Sequence, residues 1–213
     1  QALTYNWTNT AGGEFNSAGN WNPAGPPGPA VEAEFNVAGN YRVTWNGSRT
    51  NGLADVRAGV LTLDTGPHTY AATNFYIGYG SADHGDVYLT NGVVESHALF
   101  DMGNGGSANL TISDGAVWRH TATGITQPYF KVSYVANTPR TNILTVTGPG
   151  SLLSIGYRLY VGPPSTKPNH YSALRVLDGA RAETLSTINA FGSHAALEID
   201  GTGSVFECRN FSP

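Results

Sequence analysis

The chain has 213 residues, enough for one domain with a substantial core, and only 12 % of them are charged, against roughly 25 % in an average soluble domain. A net charge of −4 gives no basic footprint for nucleic acid, and no apolar stretch approaches the ~20 residues that span a membrane. One cysteine, Cys208, excludes an internal disulfide framework and a cysteine-based zinc site; a buried, inert thiol is expected.

The first segment, residues 1–50, opens with QALTYNW, the form of a mature start left by signal-peptide removal, so a secreted protein is expected. The segment carries Trp7, Phe15, Trp21, Phe35, Tyr41 and Trp45, with a PAGPPGP break between them. It reads as an atypical end unit that also holds the first strands, its aromatics plugging the open end of a repeat array.

From residue 51 to 213 the chain repeats itself. DVYLTNGVVES, NLTISDGAVWR, ILTVTGPGSLLS, ALRVLDGARAE and ALEIDGTGSVFE each hold an alternating apolar strand, a glycine turn and a second short strand. Their anchors are Val87, Leu110, Leu144, Leu174 and Leu197, spaced by 23, 34, 30 and 23 residues. A further short strand belongs to the unit: FYIG, LFDMG, FKVS, LYVG and INAFG. Gly78, Gly103, Gly162 and Gly192 close four of these, and Ser133 takes the place in the third. Like strands stacked on like strands make parallel ladders rising about 4.8 Å per coil. The expected fold is therefore all-β, a right-handed parallel β-helix with an aromatic-rich N-terminal cap. An antiparallel sandwich is the competing arrangement, because Asn-Gly and Asp-Gly pairs also make hairpins.

The opening pattern of Trp7, Gly12-Gly13, Phe15, Asn20-Trp21, a proline-rich turn, Phe35 and Tyr41-Arg42-Val43, followed by repeats of the form L-x-V-x-x-G, resembles secreted bacterial autotransporter-passenger-like β-helix proteins. These are common in Planctomycetes and related bacteria and often bear a C-terminal sorting signal. The resemblance implies a surface or extracellular-matrix role and says little about activity. The sorting segment is not seen here.

Alternation points one residue of each FYIG-type strand outward. Counted from the start of each strand, the outward column reads Tyr76, Phe100, Lys131, Tyr160 and Asn189. Exposed aromatics on a flat sheet stack on sugar rings or on a partner protein, so Tyr76, Phe100, Lys131 and Tyr160 are the surface-binding candidates. Lys131, with Arg158 one coil away, is also the arrangement in which a polysaccharide-cleaving base would be sought. His97 and His120 each follow a turn glycine by five residues, which would stack them as a metal-binding pair. Asp114, Asp178 and Asp200 precede turn glycines, where a side chain must tolerate the left-handed region or bond its own backbone.

No nucleophile triad, phosphate loop or cofactor fingerprint is present, so neither a catalytic residue nor a cofactor is assigned. Two function classes follow. One is a non-enzymatic extracellular structural or adhesive solenoid, whose open C-terminal coil stacks on another copy into filaments. The other is a carbohydrate-active β-helix that binds or cleaves a polysaccharide. The expected partners are a polysaccharide or another cell-surface component.

Overall fold

The computed structural model describes residues 3–122, 129–133, 140–162, 170–185, 188–191 and 194–209, with residues 188–191 described by their backbone alone. It is a β-solenoid of about seven turns, with 67 % of the chain in strands. Antiparallel pairing among the described residues is confined to Thr4–Trp7 against Trp21–Asn22. All other ladders are parallel, so the solenoid forms and the sandwich does not.

Among the described residues, successive coils stack extended segments in three rows. The first row stacks Tyr41, Leu61, Val87, Leu110, Leu144, Leu174 and Leu197 in register, so the repeat anchors do lie above one another. The second stacks Tyr70, Val94, Trp118, Leu153, Ala182 and Phe206. The third stacks Phe75, Phe100, Phe130 and Leu159. The side chains of the three rows meet inside the tube, and nearly all of them are fully buried. Burying one such side chain stabilises the fold by about 1.5–3 kcal/mol.

Trp118 of the second row packs edge-on against Phe75 and Phe100 of the third, with ring centroids 4.7 and 5.1 Å away. At the N-terminal end the interior holds an aromatic cluster. Trp7, Phe15, Trp21, Phe35 and Trp45 contact one another, and Tyr70 continues the cluster into the coils. This is the expected plug. The first strands of the parallel array lie in this segment, where the strand Glu32–Thr44 stacks on Arg49–Ile77. Its inward alternation of Phe35, Tyr41 and Val43 is the reason.

The corners use the left-handed region as the aspartates suggested. Asp114 and Asp178 have φ of 55° and 54°, each followed by a glycine of positive φ. Asp200 takes the other solution: its Oδ1 accepts a bond from the Gly201 N–H at 2.8 Å. Where the third repeat has Thr147 instead, its Oγ1 donates to Asp178 Oδ2 at 3.0 Å. Insertions of one residue are absorbed as register shifts, one of them between Ala72 and Asn74. Among the described residues no helix is long and apolar enough to cross a membrane.

Candidate functional site

The outward face of the third row carries the candidate residues. Tyr76 pairs with Asp101, Asp101 with Lys131, and Lys131 with Tyr160, on successive parallel strands. Three of the four expected residues therefore share one outward column. Phe100 does not. It pairs with Phe75 and Phe130 and is 0 % exposed, inside the tube. The physical reason is length. LFDMG is one residue longer than FYIG, so counting from its start lands on the wrong face, while counting back two from the closing residue finds Tyr76, Asp101, Lys131 and Tyr160. Of the two ladder neighbours that the sequence offers Lys131, Phe100 or Asp101, it is Asp101 that pairs with it. The side chain of Asn189, and Gly192, lie outside the described residues.

The column points outward, yet its centre is dry. Asp101 is 3 % exposed and Lys131 is 7 % exposed. Lys131 Nζ lies 3.3 Å from the centre of the Tyr129 ring and 6.0 Å from that of Tyr160, a cation–π arrangement. The Tyr129 and Tyr160 rings meet edge to face at 6.3 Å. Asp101 Oδ1 is buried with no hydrogen-bond partner. Burial pushes the Asp101 carboxyl up to about 7, against which the nearby Lys131 charge pulls it down. The same burial pulls the Lys131 ammonium below the usual lysine range.

The accessible part of the strip lies one coil earlier. Tyr76 stacks on Tyr79, with centroids 4.5 Å apart and planes 18° from parallel. Tyr76 is half-buried, whereas Tyr79 is 42 % exposed and offers the outer ring of the pair. Burial and the neighbouring Tyr79 push the Tyr76 phenol up to about 12. Tyr79 sits just past the closing Gly78, at a loop position that strand alternation does not reach.

The two histidines are not brought together. Ala116 adds a residue after the Asp114-Gly115 turn, so His120 stands opposite Ser96, and His97 falls level with Thr121. The side chains then lie on opposite sides of the wall. His120 is 1 % exposed inside the tube, its Nδ1 2.9 Å from Ser96 Oγ, which also accepts from Trp118 Nε1 at 3.3 Å. Its Nε2 has no partner, and burial pulls its pKa down to about 4. His97 is outside, 2.8 Å from Thr121 Oγ1. The two imidazoles share no space for a metal ion.

Three carboxylates, Glu32, Glu34 and Asp55, also gather at the N-terminal end of the outward column. The Arg57 guanidinium fills the place a cation would take, with Nε 2.7 Å from Asp55 and 3.2 Å from Glu34. A shallow groove of about 380 Å³ runs past Gly150, Gly179, Gly203 and Arg181, and Arg181 is paired there with Glu183 and Glu207. Asp55 also has a buried Oδ1 without a partner, but its other oxygen is paired with Arg57. Comparison of the chain with protein-family models, with curated proteins and with solved structures finds no match.

Proposed function

We propose that the chain is an extracellular structural or adhesive module, a stiff solenoid that holds a polysaccharide through the paired rings of Tyr76 and Tyr79. One observation carries the reading: a strand tyrosine, Tyr76, stacked on a loop tyrosine, Tyr79, whose outer ring is 42 % exposed. An aromatic face of this kind binds the C–H face of a sugar ring, and the phenol O–H at its rim bonds the sugar hydroxyls. The packed solenoid beneath holds Tyr76, the inner ring of the pair, which lowers the ordering cost on binding. Export from the cell belongs to the same proposal and rests on the resemblance of the repeats to passenger-type solenoids. The buried position of Asp101 and Lys131 favours holding a glycan over cleaving it, because a reacting sugar must touch the groups that move its protons.

The test is retardation of the protein in native gels that contain a soluble polysaccharide, run over xylan, mixed-linkage β-glucan, galactomannan and pectin. Retardation by at least one, weakened about tenfold by Tyr79→Ala, is the expected result; that factor corresponds to about 1.4 kcal/mol. Unretarded migration in every gel overturns the reading. New reducing ends released from the retarding polysaccharide would replace it with the cleaving alternative.

A further inference from the structure

Asp101 and Lys131 are direct partners on neighbouring parallel strands, so their Cα atoms stand one rung apart and their side chains leave the sheet side by side. Both belong to the outward face, and both are removed from water, at 3 % and 7 % exposure. The Tyr129 ring covers the amine, with Nζ 3.3 Å from its centre, and Tyr76 flanks the carboxyl on the other side of the column. The carboxyl has a buried oxygen, Oδ1, with no hydrogen bond. A buried site of this kind disfavours the charged pair and keeps the amine-bearing and carboxyl-bearing side chains on adjacent rungs of one column.

We propose that Lys131 and Asp101 condense to an isopeptide bond that ties two coils of the solenoid together. The Nζ lone pair attacks Cγ of the protonated carboxyl. The Nζ–Cγ bond forms, the Cγ–OH bond breaks, and the hydroxyl leaves as water with a proton from the amine. Amine and acid become amide and water, so no oxidant, reductant or cofactor is needed. Burial drives the pair toward the neutral forms that this step uses, raising the carboxyl and lowering the ammonium. Register places the two residues opposite each other, and the lysine end must move from the Tyr129 ring toward Cγ for the step. The product replaces the titratable amine and carboxyl of the buried pair with one neutral amide. The bond does not depend on glycan binding.

The chain suits the test, because it holds two lysines, Lys131 and Lys167. The intact mass of the purified, denatured 213-residue chain is expected to fall one water short of the mass its sequence dictates. A lysine-specific protease is then expected to cut after Lys167 and not after Lys131, leaving a branched peptide joined through Asp101. The Lys131→Arg variant keeps the positive charge and is expected to return to full mass. Full mass in the parent chain, with cleavage after both lysines, overturns the proposal. A water loss that persists in Lys131→Arg also overturns it, since succinimide at an Asp-Gly turn would then be the source. The parent chain alone gives a decisive answer even if the variant fails to fold.

Discussion

The rings of Phe100 and Phe130 lie 3.9 Å apart and within 6° of parallel, one coil stacked on the next inside the tube. Phe75 continues the stack and Trp118 closes it from the facing row. Every coil leans on its neighbours through such contacts, so a hole in one coil is felt by three. Phe100→Ala is expected to destabilise the protein by about 3–5 kcal/mol, read from chemical denaturation. A loss below about 1 kcal/mol would mean that Phe100 is not an interior residue.

Ser133 stands where the neighbouring coils have Gly103 and Gly162, and its φ of 65° is a glycine conformation. Its Oγ is buried without a partner. Ser133→Gly is expected to stabilise the chain by about 1 kcal/mol, as the relief of left-handed strain outweighs the entropy of a new glycine. A lower melting temperature for this variant would count against the assignment.

His120 makes stability fall in acid. Its pKa is 6.5 when unfolded and about 4 inside the tube, so between those values the unfolded chain binds more protons. The neutral imidazole contributes its full stability above pH 6.5, and the contribution is lost as pH falls toward 4. The loss is on the order of 3 kcal/mol. His120→Gln should flatten this limb of the stability profile, whatever its effect at pH 8. An unchanged slope between pH 6.5 and 4 would place the titrating group elsewhere.

The last rung is less covered than those before it. Leu197 and Ile199 are 36 % and 48 % exposed, whereas Leu174 and Val176, directly beneath them, are 0 % exposed. The 213-residue chain is expected to self-associate through this face, with an apparent mass that rises with concentration in light scattering. The double variant Leu197→Lys, Ile199→Lys should remain monomeric at an unfolding free energy within about 0.5 kcal/mol of the parent. By contrast, Leu174→Ala should cost about 2–5 kcal/mol. A strictly monomeric parent chain at high concentration would remove end-to-end stacking from consideration.

Much of the architecture was legible along the chain, because it is written in local chemistry. Leu110, Leu144, Leu174 and Leu197 announce their row through period-two alternation before a glycine turn, and they do stack. Asp114 and Asp178 announce their corners because few residues other than glycine accept positive φ. The aromatic plug was readable as the odd end of a repeat array. What only the folded tube decided is which face each residue takes where units differ by a single residue. Phe100 and Asp101 exchange faces, and His120 turns inward while His97 stays outside, because in a strand a slip of one reverses every side chain. The dry Asp101–Lys131 pair and the Tyr76–Tyr79 platform belong to this second kind. Each depends on neighbours from other coils or on a loop, and alternation along one strand carries no information about either.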